Sequence, residues 1–227
     1  MSKTTIPTGG ITADAINGTL IADDAINSEH YTDGSIDTAH IGDNQVTAAK
    51  ATGVGTLVKI ADGNTTGASA NYVDVAGCFT STYKIYKLFI YDVNTASDTA
   101  LYMRWLTGTN TEQDGSNAYS YGISGYNSSN GGSNNGGVAT YINLIGEDMR
   151  HDAGEHFAME GTLYNPAGTS LRKRFNYHSG GRRTGQYTAV GVGSAEWTDN
   201  TAITGFRFLT NTGNLDSMYY VVYGVVI

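Results

Sequence analysis

Over residues 1–50 a large apolar side chain returns every five positions: Ile6, Ile11, Ile16, Ile21, Ile26, Tyr31, Ile36, Ile41 and Val46. A helix turns about 100° per residue, so a step of five leaves each apolar group about 140° from the last, and no single stripe forms. A straight strand fails as well, because five is odd and successive apolar groups would face opposite sides. The intervening steps are rich in Asp, Gly, Asn, Ser and Thr, which favour bends and turns. The pattern therefore predicts short extended pieces joined by tight turns. A unit of five residues cannot bury its own isoleucine, so stacked units or partner chains must cover it. The expectation is a fibrous β-repeat stalk whose apolar row packs around a shared axis. Three chains are the natural number for a closed symmetric assembly, with two chains or another protein as alternatives. A disordered acidic tail is the plain alternative, and the unbroken apolar grid opposes it.

After the short stretch ATGVGT at 51–56 the pattern changes. Alternating or continuous apolar runs predict strands at 57–61, 71–76, 83–92, 100–107, 118–125, 138–145, 156–164, 170–178, 185–191, 203–210 and 218–227. In 100–107, Leu101, Met103 and Trp105 alternate with Tyr102 and Arg104, the mark of a half-buried antiparallel strand. The last run, MYYVVYGVVI, is apolar on both faces and should lie centrally in a sheet or against another subunit. Regular strands without helical stretches predict a jelly-roll-like antiparallel β-sandwich. The domains expected are thus a stalk at 1–54 and a β-sandwich head at 55–227, an all-β chain throughout.

Composition sharpens this picture. The chain of 227 residues has 30 glycines, 16 tyrosines and 2 prolines, which suits an all-β protein with many turns. Its net charge is −8, which argues against nucleic-acid binding. Seven of the acidic residues and only two lysines, Lys3 and Lys50, fall within 1–50. No apolar run approaches the roughly 20 residues that span a membrane, and MSKTTIPTGG lacks the apolar core of a secretory signal. One cysteine, Cys78, allows no internal disulfide and fits assembly in a reducing cytoplasm.

The stretch IADDAINSEHYTDGSIDTAHIGDNQVT resembles N-terminal repeats of virion fibre proteins from tailed, cyanophage-like bacteriophages. The stretches YKIYKLFIYDVNTASDTALYMRW, ITGFRFLTNTG and the ending YYVVYGVVI are similar to distal phage-fibre domains. The resemblance implies a homotrimeric fibre in the virion. Its N-terminal segment would dock on other virion proteins, and its distal domain would face host-surface glycans. Attachment to tail or to capsid stays open, so a capsid-decorating head fibre is an alternative, and a polysaccharide depolymerase is a more distant one.

Candidate chemistry is sparse. Asp148, His151, Asp152, Glu155 and His156 gather possible metal ligands, but a five-residue spacing of the histidines fits neither helical zinc motifs nor one strand face. They read as a polar loop. Asp14, Asp23, Asp24, Asp33 and Asp43 recur near ten-residue spacing and have either calcium or, more simply, turn capping as their role. No metal and no cofactor is expected. No GxSxG occurs, and spacing does not bring Glu112, Asp114, Glu147, Asp148, Glu155 or Glu160 into a pair for glycoside hydrolysis, so no enzyme is expected. Two glycan-binding candidates remain. Tyr119, Tyr121 and Tyr126 lie in a Gly/Asn/Ser-rich loop at 107–137, where rings stack on sugars and amides bond hydroxyls. Arg172, Arg174, Arg182 and Arg183, with Lys173, form a basic cluster suited to acidic polysaccharide, or else the solvent face of a hairpin closed by salt bridges.

Overall fold

The computed structural model describes residues 6–7, 9–13, 15–17, 19–22, 25–36, 39–42, 45–46, 57–66, 70–127, 131–146, 148–152, 154, 156–183 and 187–227. The chain divides into two compact units, Met1–Thr52 and Gly53–Ile227.

The described residues of the first unit form a string of tight turns. Backbone N–H groups of Gly10, Ala15, Leu20, Ala25, His30, Ser35 and Gln45 donate to the carbonyls of Pro7, Thr12, Asn17, Ala22, Asn27, Thr32 and Gly42. Each bond closes a four-residue turn, and the acceptors advance by five, or by ten from Thr32 to Gly42. The fifth residue joins one turn to the next, and it is the apolar one: Ile11 precedes Thr12, Ile16 precedes Asn17, Ile41 precedes Gly42. Local chemistry closes these turns. Gly9 (φ 85°) and Gly34 (φ 79°) take the third turn position, where a positive φ suits glycine. Asn17 Oδ1 accepts from Thr19 N (3.1 Å) and Thr19 Oγ1 (2.6 Å), an Asx-type closure. The expected extended pieces are absent here: among the described residues this unit holds turns, bends and one 3-10 turn, Ser28–His30, and no strand. Five residues are used up by one turn and its joint, which leaves no length for a ladder.

The second unit is antiparallel β. Its strands are β1 (Leu57–Thr66), β2 (Tyr72–Val75), β3 (Ile85–Thr95), β4 (Leu101–Thr107), β5 (Thr111–Glu112), β6 (Tyr119–Asn127), β7 (Gly131–Ala139), β8 (Ile142–Asn143), β9 (Phe157–Tyr164), β10 (Lys173–Arg183), β11 (Tyr187–Trp197), β12 (Ile203–Thr210) and β13 (Leu215–Val225). An eight-stranded sheet runs β1-β13-β3-β9-β10-β11-β6-β7, and a smaller one runs β2-β12-β4-β5 with β8 beside β4. The inner faces meet in one core. Trp105 of β4 sits edge-on to Phe175 of β10 (5.4 Å), Phe157 of β9 lies 6.2 Å from Phe208 of β12, and Phe206 lies 6.4 Å from Tyr220. The arrangement is a β-sandwich-like pair of sheets.

The strand expected at 118–125 is present as β6, and the flanking Gly/Asn/Ser-rich parts of 107–137, expected as loop, hold β5 and most of β7. Asn127 and Gly131 end a paired hairpin in which β6 and β7 run from Tyr119↔Ala139 to Asn127↔Gly131. The segment GGSNNGGVA has no intrinsic strand preference, and pairing with β6 at the sheet edge imposes the conformation. The run expected at 138–145 correspondingly splits between the end of β7 and β8. The last run becomes β13, second from one edge and paired on both sides. Met218 and Val222 are buried on its inner face, while Tyr219, Val221 and Tyr223 on its outer face stay half-exposed.

Candidate functional site

Three surfaces bear on function, and the first is the apolar row of the Met1–Thr52 unit. Ile6, Ile11, Ile16, Ile26, Tyr31, Ile36, Ile41 and Val46 are all exposed, from 63% at Ile6 to 42% at Ile41, and Ile21 is half-exposed. Among the described residues none of the nine is buried. Of the acidic residues weighed for calcium, Asp14, Asp23, Asp24 and Asp43 lie outside the described residues, and Asp33 is exposed.

The second surface holds the residues expected to bind glycan. Tyr119 is fully buried. Its hydroxyl accepts from Trp105 N (2.7 Å) and donates to Gln113 O (2.8 Å), so the ring is a core strut, with burial pushing its pKa up. It offers no face to a sugar, because odd positions of β6 point inward. Tyr121 shares that parity and is half-buried, 6.5 Å from Tyr141, whose ring stacks on Tyr102 at 3.8 Å. Burial, then the neighbouring Tyr141, raise the Tyr121 pKa. Burial likewise raises that of Tyr102, followed by its hydrogen bond with Tyr141. The side chain of Tyr126 lies outside the described residues; its backbone pairs with Val190 and Gly132.

The basic cluster does not form one patch. Arg172 Nη1 (3.0 Å) and Arg174 Nη2 (2.8 Å) donate to the two oxygens of Glu196, which stands directly across from Arg174 in the β10/β11 ladder. Lys173 points the other way. It is 1% exposed, donates through Nζ to Leu171 O (2.9 Å) and Asn200 O (2.8 Å), and lies 5.9 Å from the Trp197 ring. Burial lowers its pKa, and Asp199 partly offsets that. Arg182 is half-buried, with its carbonyl accepting from Arg150 N (2.8 Å), and the side chain of Arg183 lies outside the described residues.

The 148–156 loop is tied back on itself. His151 Nδ1 lies 2.5 Å from Asp98 Oδ1, which raises the His151 pKa, and Arg150 pairs with Asp152. Among the described residues no three His, Cys, Asp or Glu side chains gather around a metal position; Glu147 and Glu155 lie outside that set. Of the remaining carboxylates, Glu160 pairs with His178 (3.3 Å), and Glu112 is held by two arginines. Cys78 is buried, with its thiol pushed up to about 12 by burial.

The third surface is one the sequence did not reveal. Outward residues of neighbouring strands line up as Lys87, Thr162, Asn176 and Ser194, followed by Gly122. Together with Glu160 and His178 one step along the strands, they line a trough of about 710 Å³ on the outside of the eight-stranded sheet. Ser194 Oγ donates to Asn176 Oδ1 (2.8 Å). At Gly122 a Cβ would meet nothing within 4 Å, so the trough runs onto bare backbone. Short hydroxyl and amide side chains beside one cation and one carboxylate suit a hydroxyl-rich ligand.

No family model, no curated protein and no solved structure matches the chain. Among the described residues no helix is long and apolar enough to cross a membrane.

Proposed function

We propose that the chain is a structural and adhesive protein of a bacteriophage virion: a homotrimeric fibre with a stalk built from residues 1–54 and a jelly-roll-like head built from 55–227. The observation that carries this reading is the apolar row at five-residue spacing, exposed along a single chain. An exposed isoleucine on a soluble chain is ordinary; nine apolar positions in register are a surface that needs cover. Identical copies supply that cover with the same spacing. The resemblance of IADDAINSEHYTDGSIDTAHIGDNQVT to phage-fibre repeats supports the virion setting, with assembly in the host cytoplasm and docking on other virion proteins through the N-terminal segment.

The head is the host-facing part in this reading. Its contact with surface glycan runs through the trough of Lys87, Thr162, Asn176, Ser194, Glu160 and His178, in place of the buried Tyr119. Three weak sites on one stalk gain strength by avidity. The role is non-enzymatic. Light scattering of the full-length chain, beside one lacking residues 1–52, tests it. The expected mass is three times 24.0 kDa for the full chain, falling on truncation. A full-length mass of 24.0 kDa at micromolar concentration refutes the self-assembling stalk.

A further inference from the structure

The outer face of the eight-stranded sheet is divided. Its β9-β10-β11-β6 part, with Lys87 of β3 at the border, carries the polar trough. Its β1-β13-β3 part is apolar: Leu57, Phe89, Tyr91, Val221 and Tyr223 line a hollow of about 450 Å³, with Tyr219 alongside. The aromatics are already ordered. Tyr91 stacks on Tyr219 (5.5 Å, 18°), and Phe89 meets Tyr223 edge-on (6.0 Å, 83°). Such rigid rings lose little freedom when covered. β13 therefore has one apolar face in the core and a second that stays half-exposed among the described residues.

We infer that this β1-β13-β3 face is a contact between copies of this chain, a proposal that rests on the self-assembly reading above. Two observations select a copy of the same chain as the occupant. The first is area: Tyr and Phe side chains present about 150–250 Å² each, so Leu57 (44% exposed) and Tyr91 (40%), with the half-exposed Tyr219, Val221, Tyr223 and Phe89, offer an apolar area on the order of 400 Å² per copy, about half of a standard interface from one face alone. The second is charge. The chain carries −8, which sets copies against each other, yet this face mixes its signs. Lys59, across from Tyr223, pairs with Asp62, across from Val221, at 3.3 Å, so the two charges balance within each copy. A symmetry-related copy therefore meets little net charge and little repulsion here. The apolar row at 6–46 independently calls for copies, and a second contact in the Gly53–Ile227 unit is satisfied by the same number of chains.

The test uses full-length chains and light scattering at micromolar concentration. One variant, Ile16→Asp/Ile26→Asp/Ile36→Asp, disables the N-terminal row. Val221→Glu and, separately, Tyr219→Lys place a charge on the outer face, where each side chain is already half-exposed, and near-ultraviolet circular dichroism checks that each variant is folded. The triple variant is expected to stay above 24.0 kDa, and adding Val221→Glu is expected to weaken association about a hundredfold and return it to 24.0 kDa. If the triple variant alone falls to 24.0 kDa while the native chain does not, the β1-β13-β3 contact is overturned and the N-terminal reading stands. If Val221→Glu alone takes the full chain to 24.0 kDa, the contact stands and the stalk ceases to be the driver. A native chain of 24.0 kDa overturns both. Association unchanged by both Val221→Glu and Tyr219→Lys in the triple background overturns the contact, and Tyr219→Lys decides the matter should Val221→Glu not fold.

Discussion

Replacing Arg207 by Ala removes a side chain that ties three strands of the smaller sheet together through two carboxylates. Arg207 Nε and Nη2 form a two-pronged pair with Asp74 (2.7 and 2.8 Å), and Nη1 bonds Glu112. The guanidinium also lies 3.8 Å from the Tyr72 ring centroid. Through these contacts one β12 residue ties down β2 on one side and β5 beyond β4. The side chain is 16% exposed, and its partners are about 20% exposed. That position lies between two regimes. An exposed pair contributes about 0.2–1 kcal/mol, whereas breaking a buried pair costs about 3–5 kcal/mol because a charge is left behind. Glu112 keeps Arg104 at 2.6 Å, so Asp74 is the group that loses its cation.

The expected loss is therefore about 2–3 kcal/mol, some of it from the ring contact. For a domain of this size that corresponds to a melting point lower by roughly 5–10 °C. Denaturant unfolding followed by tryptophan emission reads the loss, since Trp105 lies on the neighbouring strand. Arg207→Lys retains charge without the fork and should recover less than half of it. A double-mutant cycle with Asp74→Ala should show coupling above about 1 kcal/mol. A cost below about 1 kcal/mol with additive cycles would place the pair among exposed ones and refute the reasoning.

Three further outcomes follow from named contacts. A Cβ on Gly161 would sit 2.3 Å from the Phe175 ring and one on Gly193 2.3 Å from that of Tyr177, so either Gly→Ala change should cost about 1–3 kcal/mol, whereas Gly122→Ala, facing open space, should cost little by thermal melting. His151 is bonded to Asp98, so its folded pKa lies above the ordinary 6.5; the stabilisation is complete below that value and is lost as pH rises through the folded pKa, and an NMR titration should show Asp98→Asn bringing the His151 midpoint back down. Cys78 should resist a thiol reagent at pH 8 until the chain unfolds, because burial holds its pKa near 12; rapid labelling of the native protein would contradict the core placement.

The strands were largely legible because their evidence is local. Leu101, Met103 and Trp105 alternate with polar neighbours, and all three are buried in β4 as that pattern requires. β7 was not legible, since GGSNNGGVA carries no apolar alternation and owes its shape to β6. The surface residues were harder still. Lys87, Thr162, Asn176 and Ser194 become neighbours only through the register of four strands, and no local motif marks them. The same register explains the failure of the basic cluster as a patch: Glu196 arrives across the β10/β11 ladder and takes up Arg172 and Arg174. The inward Lys173 was foreseeable in part, because it shares a strand face with Phe175 and Tyr177, both of which are core residues.

Glycine and tyrosine content pointed first to turns, yet much of it serves the sheets. Tyr177 is flanked in the ladder by Gly161 on β9 and Gly193 on β11. Its ring fills the space where a Cβ on Gly193 would go, and the Phe175 ring does the same over Gly161. Tyr83 lies likewise over Gly224 of β13. A glycine inside a strand ordinarily weakens it, since it adds chain entropy and contributes no packing. A flat aromatic ring laid across the gap restores the buried area and pins the register, because a slip of one residue would drive the ring into a side chain. The first two pairs join neighbouring strands, and the third joins β13 to the segment just before β3, so the fit is enforced between elements. In a chain where only 15% of residues are charged, this steric matching supplies between strands some of the specificity that ion pairs supply elsewhere.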